Sequence, residues 1–225
     1  MFKYVCAAGR SLMAVQPPPR EPTDGKVPAA RTALRVVRHT EGVDLVEAER
    51  AAEAFLHALG ISTDSPSLRS TPRRMAQAYA DLFTARPFDL TTFPNDEGYE
   101  QLVLARGLPV RSVCEHHLLP FTGVAHIGYL PGEHILGLSK LARVLEYFAA
   151  RPQVQERLTK QVADWLTKHL KPQGVGVVIE AEHTCMTLRG VQARGTTTVT
   201  STLLGMLRED ARSRQEFFAL AGLQS

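Results

Sequence analysis

The strongest constraint on the fold is a long amphipathic segment followed directly by two segments rich in β-branched residues. From about Gln153, apolar residues recur at helical spacing until Lys171-Pro172 ends the pattern. Gly174–Met186 is rich in Val and Ile and predicts a buried strand, and Val191–Leu203, dense in Thr and Val, predicts its hairpin partner. This order of segments indicates an α+β domain with a largely antiparallel sheet.

The other segments fit the same class. Two helices are predicted ahead of the sheet, Val43–Leu59, with Gly60 as its stop, and Thr71 to about Phe83, with Thr71 as cap and Pro72 in the first turn. Further predictions are a loop from Arg86 to Gly98, strands at Gln101–Ala105, Pro109–Val113 and Phe121–Leu130, a helix from Ser139 to about Ala150, and a last helix at Arg208–Ala219.

The basic charge is concentrated at the N-terminus. Residues 1–40 hold seven Lys or Arg and two Asp or Glu, so they carry 7 − 2 = +5, and the other 185 residues carry 3 − 5 = −2. This stretch includes PPPREP and predicts a flexible tail, residues 1–40, ahead of one folded domain, residues 41–225, that opens with a helical pair. Because the domain itself is slightly acidic, we expect no nucleic-acid partner, and binding of RNA or DNA through the tail is the alternative.

Three cysteines in 225 residues do not make a disulfide framework, so a cytoplasmic, reducing setting is expected. No apolar run approaches the roughly 18 residues needed to span a bilayer, and we expect no membrane partner. The first residues lack the continuous apolar core of a secretory signal. Because they contain Arg and no acidic residue, an organelle transit peptide stays an alternative.

Two cysteines and their neighbouring histidines predict a metal site. Cys114 and His117 have C-x2-H spacing at a strand end, and Cys185 lies late in the predicted strand Gly174–Met186, two residues after His183. Taken alone, C-x2-H fits a buried cysteine beside surface histidines equally well. The repeated pairing of Cys with His at strand ends favours a zinc site with three ligands, Cys114, His117 and Cys185, and an open position for a reacting water, as in catalytic rather than structural sites.

Two thiolates cancel the charge of Zn²⁺, so such a site needs nearby groups for proton transfer. His116 and His183 are the candidates, and the alternative is that each only orients a ligand. Zinc deaminases of nucleobases use H-x-E and P-C-x-x-C motifs. The P-C-x-x-C motif does not occur in this sequence, which argues against deamination.

Several motifs in register resemble GTP cyclohydrolase I, from about Asp44 to Phe218. They are Thr71-Pro72-Arg73-Arg74, Cys114–Phe121 (CEHHLLPF), Leu136–Arg143 (LGLSKLAR), Arg151–Thr159 (RPQVQERLT), His183–Met186 (HTCM) with Arg189–Val191, and Thr198–Ser201 (TVTS). The resemblance implies the tunnelling fold, with an antiparallel sheet, helices on one side, and sheets that close into five-subunit barrels. It also implies a homodecamer of two pentamers, with active sites at subunit interfaces.

The implied reaction converts GTP and water to formate and 7,8-dihydroneopterin triphosphate, the first step of folate and biopterin synthesis. The implied zinc ligands are the three named above. The resemblance further implies His116 and His183 for proton transfer and Ser139 for the later sugar rearrangement. The implied substrate contacts are Glu156 and Gln155 with the base, and Lys140, Arg143, Arg189 and a neighbouring subunit's Arg74 with the triphosphate. From spacing alone, Glu156 and Arg143 fit solvated helix charges, and Ser139 fits a helix cap.

Two further functions remain as alternatives. One is a zinc-stabilised binding or scaffold protein that keeps nucleotide affinity without catalysis. The other is a related tunnelling-fold enzyme that acts on other pterins or deazapurines, including a group with a nucleophilic cysteine and no zinc. The intact set of Cys114, His117 and Cys185 argues against that last group.

Overall fold

The structure is a computed structural model, and it describes residues 4–5, 11–12, 34–36 and 42–223. Its helices are α1 (Leu45–Ala58), α2 (Thr71–Phe83), α3 (Ser139–Ala149), α4 (Gln155–Leu170), α5 (Thr184–Thr187), α6 (Met206–Glu209) and α7 (Ala211–Ala221). Its strands are β1 (Tyr4–Val5), β2 (Ser11–Leu12), β3 (Leu34–Val36), β4 (Phe88–Leu90), β5 (Thr92–Pro94), β6 (Val103–Cys114), β7 (Pro120–Leu130), β8 (His134–Leu136), β9 (Pro152–Gln153), β10 (Gly174–His183) and β11 (Thr198–Gly205). None of the described helices is both long and apolar enough to cross a bilayer.

A five-stranded sheet in the order β11-β10-β7-β6-β9 forms the centre of the fold. Its long strands pair antiparallel, and only the two-residue β9 runs parallel to β6. Short two-stranded sheets, β1-β2, β3-β4 and β5-β8, make up the rest. The predicted α+β class with a largely antiparallel sheet is confirmed.

The main core lies between one face of this sheet and helices α3 and α4. Alternate residues of β7 and β10 point to it, as the two-residue period of a strand requires. The buried residues that meet there include Phe121, Ile127 and Tyr129 from β7, Val177 and Ile179 from β10, Leu141 and Leu145 from α3, and Leu158, Val162 and Leu166 from α4. The apolar stripe predicted for α4 therefore faces the sheet.

The opposite face of the sheet is covered in part by α7, so the expectation of helices on one side only is wrong at the C-terminus. Gly128 and Gly176 face each other across β7 and β10. A Cβ at Gly176 would lie 2.8 Å from Cζ of Phe217, and one at Gly128 would lie 3.2 Å from the same ring. The two glycines thus leave the flat surface on which the Phe217 ring packs.

The N-terminal helical pair is present as predicted, with one correction at a cap. Asp44 caps α1 by accepting a hydrogen bond from the backbone N of Glu47 at 2.9 Å, and Gly60 follows the helix at a φ of 78°. At α2 the cap is Ser70 rather than Thr71, and its side chain makes no capping hydrogen bond. Thr71 and Pro72 instead form the first turn, where Pro lacks only an N–H that would have no partner.

Order begins earlier than the sequence indicated. Strand β3 pairs with β4, and Val36 is buried in the main core. Strands β4 and β5 both lie within the segment predicted as a loop. Apart from the three short strands, the predicted tail lies outside the described residues.

The two short strands predicted on either side of Arg106-Gly107 are one strand, β6. Its pairing with β7 shifts register between Ala105 and Leu108, and Gly107 has a φ of 70°. This is a β-bulge, in which extra residues interrupt the ladder without ending the strand. The glycine that suggested a break therefore marks an irregularity inside a longer strand.

Three boundaries in the C-terminal third also differ. Strand β10 ends at His183 and the next four residues form α5, so Cys185 lies on a helical turn and not on a strand. Strand β11 begins at Thr198, seven residues later than predicted. The last helix is divided at Asp210, which ends α6 and caps α7 by accepting from the backbone N of Ser213 at 2.7 Å.

Candidate metal and substrate site

A tight turn between β6 and β7 carries the first two predicted metal ligands. The backbone N of Cys114 donates to the carbonyl of Leu119 at 2.9 Å, and that of Leu118 donates to the carbonyl of Cys114 at 2.8 Å. Leu118 has a φ of 51°, in the left-handed region that closes such a turn. The turn leaves Cys114 buried while His117 is exposed.

The third predicted ligand approaches along the neighbouring strand. Strand β10 is antiparallel to β7, and His183 pairs with Phe121, so β10 ends where β7 begins. The hydroxyl of Thr184 donates to the carbonyl of Pro120 at 2.6 Å, which ties the start of α5 to the same corner. As a result, three ligand atoms lie within 4.8 Å of one another, one each from Cys114, His117 and Cys185.

These three side chains fit a zinc ion. Two sulfurs and an imidazole nitrogen are the donors that zinc prefers, and donors around one tetrahedral zinc lie about 3.5–3.8 Å apart. The Sγ of Cys114 is 3.8 Å from Nδ1 of His117, close to that separation. Among the described residues, this is the one group of three or more His, Cys, Asp or Glu whose ligand atoms converge in this way.

The two thiols also affect each other electrostatically. Burial raises the pKa of the Cys185 thiol, and the neighbouring Cys114 raises it further. The Arg189 guanidinium acts in the opposite direction and lowers that pKa. A divalent cation between the sulfurs would remove their mutual repulsion, since a thiol that coordinates zinc is deprotonated.

His116 lies beside the predicted ligands but outside the converging group. Its side chain is 63% exposed, and its Nδ1 is 3.7 Å from the Sγ of Cys114. Its Nε2 is 4.0 Å from a carboxylate oxygen of Glu115. An exposed imidazole in this place can exchange protons with solvent or with a ligand bound at the open side of the turn.

His183 is held more tightly than His116. Its ring stacks on Phe121, with ring centroids 4.5 Å apart and planes 10° from parallel. Its Nε2 is 2.8 Å from Oε1 of the buried Gln155. Burial lowers the pKa of His183, and the nearby Glu156 carboxylate partly opposes that shift, so the neutral imidazole is favoured.

The turn is anchored to neighbouring helices by polar contacts. The carboxylate of Glu115 pairs with the guanidinium of Arg157 on α4. Arg157 also donates to Oε1 of the buried Gln153 at 2.9 Å, and the hydroxyl of Tyr79 on α2 donates to the carbonyl of Leu118 at 3.0 Å. The predicted ligand turn is therefore braced from two sides within one chain.

Three of the predicted substrate residues lie together at the start of α3. Ser139 is its first residue and Lys140 follows it, and the N-cap is Leu138 rather than Ser139. Arg143, one turn later, pairs with Glu146 at 3.2 Å, and Arg86 holds the same carboxylate through two hydrogen bonds of 2.7 and 2.9 Å. Within the described residues, no hydrogen bond or ion pair joins this group to the predicted metal ligands.

The remaining predicted substrate residues lie on different elements and differ in burial. Glu156 is exposed in the first turn of α4, close enough to His183 to affect its pKa. Arg189 is exposed just after α5, near Cys185, and Arg74 is exposed on α2. Gln155 is 99% buried, in contrast to the other substrate residues.

The GTP cyclohydrolase I family matches residues 48–222, which is most of the chain. The chain belongs to this family. GTP cyclohydrolase 1 of Aquifex aeolicus strain VF5 is 47% identical over 178 residues, covering 79% of this chain and 97% of that protein. The Corynebacterium glutamicum protein of the same name is 50% identical over 182 residues (79% and 93% covered), and that of Mycobacterium avium strain 104 is 46% identical over 197 residues (85% and 95%).

A solved structure, the archaeosine synthase QueF-Like in the apo form, covers 46% of this chain and 93% of its own at 16% identity, with a TM-score of 0.37. So low a score carries no argument about the fold. The predicted membership of the GTP cyclohydrolase I family, and with it the assignment as an enzyme, therefore rests on the sequence matches, and both are confirmed.

Several contacts at this candidate site could not be predicted from the sequence. Phe121 stood in the quoted motif, but nothing indicated that its ring would stack on His183. Tyr79 lies 39 residues from the backbone group that it bonds. The contact of Gln155 with His183 joins a helix start to a strand end, and only the folded chain brings these together.

Proposed function

We propose that this chain hydrolyses GTP by opening the imidazole ring of guanine, giving 7,8-dihydroneopterin triphosphate and formate. The observation that carries the proposal is the convergence of Cys114, His117 and Cys185 in a member of the GTP cyclohydrolase I family. Hydrolysis of the ring and then of the resulting formamide each uses one water and releases C8 as formate, and closure of the new pterin ring returns one water, so the net reaction consumes one. The proposal therefore needs a site that activates water, moves protons and recognises guanine.

Cys114, His117 and Cys185 would hold one zinc ion per subunit. When bound, zinc would supply Lewis-acid chemistry at a coordination position that these three residues leave open. His117 is exposed, which supports access of substrate from that side.

His116 and His183 are proposed to transfer the protons. Stacking on Phe121 and the hydrogen bond to Gln155 hold the ring of His183, so it is suited to act at one defined atom. His116 is more exposed than His183, with 63% of its side chain open to solvent. The two imidazoles differ in burial and can therefore take different parts. One can accept a proton in one step, and the other can donate a proton to a leaving nitrogen in another step.

Glu156 is proposed to recognise the guanine edge. A carboxylate can accept from both N1–H and the 2-amino group, and adenine does not present these two donors together. Glu156 lies at the first turn of α4, where backbone N–H groups have no partner inside the helix and can donate to the guanine carbonyl. The Glu156 carboxylate lies close enough to His183 to affect its pKa, which supports binding of the base next to the proposed proton-transfer residue.

Lys140, Arg143, Arg189 and Arg74 are proposed to bind the triphosphate, and Ser139 to act in the later sugar rearrangement. Arg189 lies close enough to the predicted metal ligands to lower the pKa of the Cys185 thiol. Lys140 and Ser139 lie in the first turn of α3, whose N-terminus favours anions. Arg143 is oriented by its pair with Glu146.

We further propose a homodecamer of two pentamers, with the tunnelling fold, barrels closed between subunits, and active sites at subunit interfaces. Strand β11 lies at the edge of the five-stranded sheet, where a second chain could extend the pairing. Leu188, Val191 and Val199 are exposed apolar residues around the site, as expected for a surface that another subunit covers. Sedimentation velocity measures the assembly, and a monomer at micromolar concentration would contradict this part.

The test of the activity is direct. The zinc-loaded full-length protein, incubated with GTP, should release formate and give a product that becomes a fluorescent pterin after oxidation. ATP is the matched control and should give neither product, because it lacks the paired donors that Glu156 recognises. Absence of both products from GTP would defeat the proposal, and nucleotide binding without turnover would favour the scaffold alternative.

A further inference from the structure

Gln155 makes an unusually complete set of side-chain contacts for a residue at the start of a helix. Its Nε2 lies 3.0 Å from the carbonyl of Ile179, 2.9 Å from the carbonyl of Thr198 and 3.1 Å from the hydroxyl of Thr200. Backbone carbonyls can only accept hydrogen bonds, so the atom that faces them must be the amide nitrogen. Two strands thus fix which way the carboxamide of Gln155 points.

This orientation has a consequence for His183. The remaining amide atom, Oε1, is 2.8 Å from Nε2 of His183. A carboxamide oxygen has no proton to give, so Nε2 of His183 must donate. In the neutral imidazole the proton is therefore on Nε2, and Nδ1 has the free lone pair.

The surroundings hold both partners in place. The hydroxyl of Thr159 donates to the backbone carbonyl of Gln155 at 2.8 Å and is 2.6 Å from the hydroxyl of Thr200. The stack of His183 on Phe121 fixes the plane of the imidazole. Helix α4 and strands β7, β10 and β11 all contribute, so neither ring rotation nor amide rotation is free.

We propose that Gln155 is a positioning residue that fixes the orientation and the neutral tautomer of His183, so that Nδ1 is the atom presented to the substrate. The inference rests on the proposed function, since it gives the selected tautomer a part in proton transfer. It also changes the role predicted for Gln155 from the family resemblance. Its two amide hydrogens already have three internal acceptors, so the side chain has no donor left for the guanine base.

Nitrogen-15 solid-state NMR of the zinc-loaded full chain without GTP tests this assignment. The protein is labelled at histidine, and the His183 signals are assigned by their loss in His183→Asn. We expect a protonated Nε2, and in the neutral form of the ring an unprotonated Nδ1. A protonated Nδ1 with an unprotonated Nε2 in the wild type would overturn the proposal, even if no variant could be purified.

Three variants complete the test. In Gln155→Leu the tautomer signals should become a mixture. In Thr200→Val the wild-type pattern should persist, because the two backbone carbonyls still orient the amide. Gln161→Leu removes another amide of α4 that does not contact His183, and it should also keep the pattern. An unchanged pattern in Gln155→Leu, or a mixture in all three variants, would contradict the proposal.

Kinetics separate positioning from contact with the base. In Gln155→Leu we expect kcat to fall by about 10- to 100-fold, the usual loss when a partner that orients a functional histidine is removed. KM for GTP should change little, whereas a contact with the base would appear mainly as a rise in KM, which would contradict the proposal. If the wild type released no formate, the proposed function would fail, while the NMR result would still decide the tautomer.

Discussion

The corner where β6, β7 and β10 meet differs sharply from the start of α3. At the corner, the predicted metal ligands converge within one chain, and His183 is held by a ring stack and a buried amide. At α3, Ser139 is exposed and Arg143 is paired with Glu146. The fold of a single chain assembles the corner. Within the described residues, no hydrogen bond or ion pair connects the α3 group to the predicted metal ligands there.

This difference teaches how the two parts of the proposed site depend on the fold. Antiparallel pairing of β7 with β10 brings Cys185 next to the Cys114 turn without any help from substrate or partner. Cations that bind a triphosphate need not converge before the ligand binds. Long Lys and Arg side chains keep their charged groups in water in the meantime. We therefore expect changes at the corner to abolish the chemistry and changes among the binding residues to weaken affinity.

The largest effect is expected for Cys185→Ser. Loss of one thiolate should remove zinc from the purified protein and reduce formate release to background, because the remaining two ligands cannot hold the ion. Metal analysis and the GTP assay on the same sample measure both. Cys6→Ser is the matched control and should retain zinc and activity. Full zinc content in Cys185→Ser would remove this residue from the ligand set.

His183→Ala should separate metal binding from proton transfer. The variant should keep its zinc, because His183 is not among the converging ligand atoms, and its kcat should fall by about 10²- to 10⁴-fold, the range for loss of a general acid or base. His134→Ala, at an exposed histidine on β8, is the control. Wild-type turnover in His183→Ala would show that the corner does not transfer protons through this ring.

Glu156→Gln tests the binding side of the comparison. The amide cannot accept from both guanine donors as a carboxylate does, and a hydrogen bond to a charged group is worth enough to raise KM for GTP by about 10- to 100-fold. Asp164→Asn, on the same helix and paired with Lys160, is the matched control. A loss confined to kcat would place Glu156 in the chemistry rather than in base recognition.

The smallest effect is expected at Glu146, which orients Arg143. Hydrogen bonds from Arg86 lower the pKa of the Glu146 carboxyl, an effect that burial partly opposes. The charged form is therefore favoured in the folded state, and its contribution to stability is present above the ordinary carboxyl pKa and lost as the pH falls through the lowered value.

Thermal unfolding of Glu146→Gln measures this contribution. Its Tm should be slightly below that of the wild type at neutral pH, and the difference should disappear in acid. A Tm difference that stays constant across this pH range would show that the Glu146 charge does not contribute. KM for GTP should rise less than in Glu156→Gln, since Arg143 itself remains.

The sequence predicted the parts of this molecule that depend on local pattern. Helices α1, α2, α3 and α4 follow from apolar spacing and end signals, and the three metal-ligand candidates follow from Cys and His near strand ends. The convergence of those ligands also requires β10 to pair antiparallel with β7, whereas the hairpin pattern in the sequence predicted only the pairing of β10 with β11.

What the sequence missed depends on tertiary contacts. The glycine at 107 suggested a strand end, although the ladder continues past the bulge. Cys185 was expected on a strand because Val and Ile precede it, but α5 turns the chain there. Phe217 packs on the second face of the sheet because two glycines, 48 residues apart in sequence, meet across the sheet. No local pattern contains that information.

The central claim is that Cys114, His117 and Cys185 together hold one zinc ion. X-ray absorption at the zinc edge of the metal-loaded protein tests it most directly. The account predicts two sulfur neighbours at about 2.3 Å and lighter neighbours at about 2.0–2.1 Å, with one sulfur lost in Cys114→Ser. A wild-type spectrum with no sulfur neighbour, or with an unchanged sulfur shell in Cys114→Ser, would contradict it.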